Sequence, residues 1–211
     1  MGSRITPCLL VQNYGLVKTR QFREPKYVGD PINAVRIFNE KEVDEIMVVD
    51  IDASTKQREP DYALIKNLAA ECRMPLCYGG GVKKVEQVER IIALGVEKVA
   101  ISSAAIEDPD LISASAKIVG NQSVVVLLDV KSSAKTGKYE LFTHNATRAT
   151  KRDPVETAKQ MEQLGVGEII LNSIDRYGMM KGYDLDLVQQ IRDAVGVPMT
   201  VLGGAGSLKD I

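Results

Sequence analysis

Asp129 closes the apolar run Leu127-Leu128-Asp129-Val130. A carboxylate partly withdrawn from water has its proton affinity raised towards neutrality and can serve as a general acid or base. Two glycine clusters close other apolar runs. Tyr78-Gly79-Gly80-Gly81 follows Pro75, and Leu202-Gly203-Gly204-Ala205-Gly206-Ser207 follows Pro198. Bare backbone N–H groups at a strand end suit phosphate, although a tight turn alone also asks for glycine. A matched pair of clusters points to a ligand with a phosphate at each end. Ser102, Ser103 and Gly178 stand at the ends of further runs as additional donors. Lys18 follows the first run in a reversing turn, where it either reaches an anion or is simply solvated. Asp50, Asp52, Asn172 and Asp175 lie at run ends too, either near a ligand or fixing loops.

These residues need a scaffold that brings strand ends together. Apolar runs at 4–11, 45–50, 76–78, 98–102, 124–130, 168–173 and 199–202 alternate with helical patterns at 31–40, 61–72, 85–94, 109–119, 154–164 and 184–194. The runs are apolar throughout, as in parallel strands covered on both faces. Asp30-Pro31, Asp108-Pro109 and Asp153-Pro154 read as helix starts, and Gly95 and Gly165 as helix stops. One offset of 123 residues carries Glu45–Asp52 onto Glu168–Asp175 and Pro75 onto Pro198. The second half therefore repeats the first. Six βα units and a seventh strand in two similar halves predict a (β/α)8 barrel. A doubly wound sheet explains the alternation but not the repeat. The expected organisation is one domain over 1–211, with half-barrels at about 1–120 and 121–211. The repeat places an eighth strand beyond Ile211. The expectation is a C-terminally truncated barrel lacking that strand and the last helices; a seven-stranded open barrel is the alternative.

The repeat also sets Leu10, in Cys8-Leu9-Leu10-Val11, opposite Asp129 in the other half. At the other end of the strands stand Arg4, Glu45, Lys98 and Glu168. Solvation explains any one of them. Four of mixed sign around one barrel mouth predict a ring of ion pairs, costly to desolvate and so more plausible with a purpose such as closing a pore.

Composition narrows the function classes. Lys plus Arg number 27 against 28 Asp plus Glu, so no basic surplus favours nucleic acid or a membrane surface. No apolar run reaches the ~18 residues of a spanning helix, and the start lacks a signal-peptide core. Met1-Gly2 with Thr6 nominally fits an N-myristoylation pattern, against which Ile5 already opens an apolar run. Cys8, Cys72 and Cys77 show no metal spacing and read as reduced thiols of a cytoplasmic protein; His144 is the only histidine. Neither a metal nor another cofactor is expected.

Arg4-Ile5-Thr6-Pro7-Cys8-Leu9, Tyr78-Gly79-Gly80-Gly81-Val82, Ile101-Ser102-Ser103-Ala104-Ala105, Asp129, Ser173-Ile174-Asp175-Arg176, Gly182-Tyr183-Asp184 and Gly203–Ser207 together resemble the HisF family, the cyclase subunits of imidazole glycerol phosphate synthase. The resemblance runs in order over nearly the whole chain. It implies a (β/α)8 barrel in a heterodimer with a HisH-type glutaminase, whose ammonia passes through the barrel to a bis-phosphorylated ribonucleotide. It also implies that Arg4, Glu45, Lys98 and Glu168 form the ammonia gate and that Asp129 is a catalytic aspartate. One phosphate site would use Gly81, Ser102 and Ser103, the other Gly178 and Gly204; the glycine clusters themselves add Gly80 and Gly203. Departures gather at the reactive face. Leu10 replaces the first catalytic aspartate, Tyr177 an Asp, Met179 a Thr, Leu202 a small polar residue and Ser102 an Asn. An isobutyl group cannot shuttle protons, and a positioned acid/base contributes roughly 10²–10⁴ in rate. Two further readings follow: a paralogue delivering ammonia to another acceptor, such as a surface-polysaccharide sugar, or a non-catalytic module that docks a glutaminase.

Overall fold

The computed structural model describes residues 4–133 and 136–210; the Met1-Gly2 pattern lies outside the described residues. Seven strands form a curled parallel sheet: β1 (Cys8–Gln12), β4 (Ile46–Asp50), β5 (Leu76–Gly79), β6 (Lys98–Ile101), β7 (Val124–Ser132), β10 (Glu168–Ser173) and β11 (Met199–Leu202). This is the α/β fold of a (β/α)8 barrel. Among the described residues, β11 pairs with β10 alone, and β1 lies between β4 and an antiparallel neighbour. That neighbour, β2 (Gly15–Arg20), continues into β3 (Arg23–Gly29). A second antiparallel extension, β8 (Tyr139–Thr143) and β9 (Arg148–Ala149), leaves β7 in the same way.

The helices are α1 (Pro31–Glu40), α2 (Tyr62–Glu71), α3 (Val85–Ala93), α4 (Ser103–Glu107), α5 (Asp110–Val119), α6 (Pro154–Gln163) and α7 (Leu185–Arg192). Their caps repeat with the halves. Asp30 accepts from the Asn33 N–H at 2.9 Å and Asp153 from the Glu156 N–H at 3.0 Å. Asp61 accepts from Leu64 at 3.0 Å and Asp184 from Leu187 at 3.3 Å. Each satisfies an N–H that the first helical turn leaves free. Asp108 does not cap as expected. It ends the unforeseen α4, and Pro109 stands at the cap of α5 with no side-chain bond. Gly95 and Gly165 do close α3 and α6, at φ of 97° and 89°.

Strand parity divides the core in two. Leu9, Val11, Ile46, Val48, Leu76, Tyr78, Val126, Leu128 and Leu171 face the helices in one large cluster that draws on both halves. Met47, Cys77, Ala100, Val125, Leu127 and Ile170 fill the barrel interior, with Cys8, Val49 and Leu202 packed against them. Both faces are apolar, which explains the unbroken runs. Truncating one of the wholly buried side chains, such as Ile65 at 0% exposure, would cost about 2–5 kcal/mol.

Candidate active site at the C-terminal mouth

The interior parity of β1, β7 and β10 continues upward to Leu10, Asp129 and Asn172 at the C-terminal ends of the strands. In this fold that end carries the chemistry. Asp129 is 7% exposed. Asn172 Nδ2 donates to its Oδ1 at 2.8 Å, and the Ser102 hydroxyl reaches Oδ2 at 3.4 Å. Burial lifts the carboxyl to about 7, and these two hydrogen bonds only partly oppose the rise. A group titrating there can exchange protons at neutral pH. Leu10, 9% exposed, lines the same cavity and offers nothing to titrate.

The mouth has two lobes. The first is lined by Gly80, Gly81, Ser102 and Ser103 beside Asp129 and Asn172. Ser103 Oγ accepts the His144 N–H at 3.0 Å, which leaves its own proton free to donate. The His144 ring is itself buried; burial and the Arg148 guanidinium hold it below the usual imidazole range, so at neutral pH it is uncharged. Gly80 needs its lack of a side chain. At φ 117° a Cβ would sit 2.5 Å from the Asp50 carbonyl oxygen. The second lobe is lined by Gly178, Gly203 and Gly204 with Lys18, Arg20 and Lys26 from the β2–β3 hairpin. Three cations against one carboxylate, Glu24, over three glycines leave a positive balance that suits an anion.

The hairpin is docked across this lobe. Gln21 donates its backbone N–H to the Tyr177 carbonyl and its side-chain amide to the Asp175 carbonyl, both at 2.9 Å. Gly178 packs directly on the Thr19 carbonyl. Of the other residues expected at run ends, Asp50 lies on the helix-facing parity of β4. Its carboxylate is held by Arg58 at 3.3 Å and by the Asp52 and Ala53 N–H groups at 3.1 and 3.2 Å. Asp52 is clasped by Lys56 at 2.6 Å. Asp175 accepts the Ser132 N–H at 2.8 Å. All three carboxylates fix loops, although Asp50 also borders the first lobe. Sequence reasoning did not single out Arg58, whose carboxylate partners only the folded chain assembles, or Thr19, whose carbonyl meets Gly178.

At the opposite end the four charged residues do meet, with one correction. Lys98 Nζ bonds Glu45 and Glu168, each at 2.8 Å, and Arg4 reaches Glu45 at 3.2 Å. Thr200 Oγ1 donates to Glu168 at 2.6 Å. This is an open chain, not the predicted ring. Arg4, 64% exposed at its side chain, lies outside the mouth and contacts Glu45 alone of the two glutamates. Between this network and the lobes lies a cavity of about 20 Å³, bordered by Glu45 and Glu168 at one end and by Cys8, Met47, Cys77, Ile170 and Leu202 beyond. That is room for one water-sized molecule. Cys8 and Leu202 also border the mouth, so the cavity adjoins the ion pairs at one end and the pocket that holds Asp129 at the other.

The three cysteines are free thiols. Among the described residues no group of His, Cys, Asp and Glu is arranged to hold a metal ion, and no helix is long and apolar enough to cross a membrane.

Comparison with known proteins adds to this geometry. The family model described as histidine biosynthesis protein matches residues 4–211. A Vibrio vulnificus protein provisionally named imidazole glycerol phosphate synthase subunit hisF3 is 57% identical over 211 residues, 100% of this chain and 81% of its own length. A Leptospira interrogans protein provisionally named imidazole glycerol phosphate synthase subunit HisF is 57% identical over 208 residues, 99% of this chain and 82% of its own. The imidazole glycerol phosphate synthase subunit HisF of Petrotoga mobilis is 41% identical over 210 residues, 100% of this chain and 83% of its own.

Proposed function

The chain belongs to the histidine-biosynthesis protein family, alongside HisF subunits of imidazole glycerol phosphate synthase, and from that premise we propose that it is the cyclase subunit of a glutamine amidotransferase. On this reading a HisH-type glutaminase docks at the end bearing Arg4, Glu45, Lys98 and Glu168. Neutral ammonia enters past the Lys98 ion pairs, crosses the apolar interior and meets a bis-phosphorylated ribonucleotide. That ligand is held by one phosphate against Gly80, Gly81, Ser102 and Ser103, and by the other against Gly178, Gly203, Gly204 and Lys18. Asp129 exchanges the protons of addition and ring closure. The single observation supporting this is the small interior cavity that has the Lys98 ion-pair glutamates at one end and shares Cys8 and Leu202 with the pocket holding Asp129. The test is turnover of the ribonucleotide, first with ammonium salt and then with glutamine and the glutaminase. Product in both arms supports the proposal; no product in either overturns it.

Leu10 favours a second reading. With one proton-handling carboxylate at the mouth, the barrel passes ammonia to a different acceptor, and the ribonucleotide is bound but not closed into a ring. Binding by calorimetry without ammonium-dependent product would favour this reading over the first.

A further inference from the structure

Five residues border both lobes of the mouth: Cys8, Leu10, Thr19, Tyr177 and Leu202. They form the wall that any ligand spanning the lobes must pass. Leu10 and Leu202 present only hydrocarbon there. Thr19 Oγ1 is buried without a hydrogen-bond partner, and so is Asn172 Oδ1 in the adjoining first lobe. The Tyr177 phenol is the largest polar group of the wall. Its backbone is held by two hydrogen bonds and its ring is met by one aromatic neighbour. The Tyr177 N–H donates to the Ser173 carbonyl at 3.0 Å, the Tyr177 carbonyl accepts from Gln21 at 2.9 Å, and the ring meets Phe22 edge-on, 5.4 Å between centroids and 90° between planes. A side chain pinned in this way offers its hydroxyl at little further entropic cost.

From this placement we infer that the Tyr177 hydroxyl is the hydrogen-bond donor facing Asp129 across the mouth, meeting the bound ligand where the repeat would set a second carboxylate. The inference rests on the proposed function and names a residue that this reading leaves without a role. Burial, with the field of Cys8 and Asp129, holds the phenol well above its ordinary value, so it keeps its proton throughout the neutral range. It therefore donates to an acceptor atom of the ligand and takes no proton from it. Asp129 and Tyr177 are an acceptor and a donor, not two interchangeable carboxylates.

The experiment is a double-mutant cycle on ammonium-dependent turnover of the ribonucleotide. Tyr177→Phe keeps the ring and its contact with Phe22 and removes one oxygen. The expected result is a roughly tenfold lower kcat/KM with an unchanged melting curve. Leu10→Asp should then restore part of that loss, because a carboxyl placed at this buried position is pushed towards its protonated form and so supplies a donor again. Tyr177→Phe behaving as wild type would overturn the inference. So would a loss that accompanies a lowered melting curve, or one that Leu10→Asp leaves untouched, since packing alone explains either. A wild-type protein without turnover would instead overturn the proposed function, and this inference with it.

Discussion

Asp129 and Leu10 occupy matching inward positions of β7 and β1, and the difference between them sets how the site responds to pH. If Asp129 works as a base, activity rises through a limb near 7 as it loses its proton. Asp129→Asn should lower ammonium-dependent turnover by about 10²–10⁴. Stability should move the other way. An acid whose folded value is raised binds its proton more tightly in the fold than in the unfolded chain. The ionised form therefore costs stability, beginning as pH passes the ordinary value of 3.8 and complete above about 7. Asp129→Asn should thus melt higher than wild type at about pH 8, with the advantage gone near pH 4, as calorimetry at the two values would reveal. Leu10 in place of an aspartate could be read by laying the first apolar run of one half on that of the other. The partners of Asp50 could not, because they depend on parity. Val49 points into the barrel and Asp50 away from it, towards Arg58 arriving from the following loop.

Between residues and the whole barrel lie the elements, and here the two halves are alike beyond their apolar runs. Each begins with a strand that folds back into an antiparallel extension, β2–β3 on β1 and β8–β9 on β7. The parallel strands were legible because burial on both faces keeps them apolar. The extensions were harder to see. In β3 the run from Arg23 to Val28 is exposed and interrupted by Pro25, and the β2–β3 register shifts twice. Such a strand is specified by its docking, not by a hydrophobic pattern. Its seat is testable. Gly178→Ala places a methyl on the Thr19 carbonyl at a φ of 72°. The expected outcome is about 1–3 kcal/mol of lost stability, with faster proteolytic cutting within β2–β3 and weaker binding of phosphate at the second lobe. At the other end, Lys98→Met leaves Glu45 and Glu168 facing one another without their shared cation. Breaking a buried pair costs about 3–5 kcal/mol; Lys98 keeps 18% of its side chain in water, so about 2 kcal/mol is expected from chemical denaturation.

For the molecule as a whole, the repeat set the architecture and the interior set what can cross it. With a net charge of −1, no broad electrostatic field draws in a partner. On the proposed reading, recognition of a glutaminase falls to the local pattern of Arg4, Glu45, Lys98 and Glu168. The small void among Cys8, Met47 and Cys77 has a consequence for traffic. On the proposed reading it is the narrowest point on the way from the ion pairs to the C-terminal mouth, with room for about one water-sized molecule. Cys77→Leu would leave a permanent occupant there. If the proposed ammonia transfer holds, glutamine consumption would continue while amination stalled, and the ratio of glutamate formed to nitrogen incorporated would climb above that of the unmodified pair.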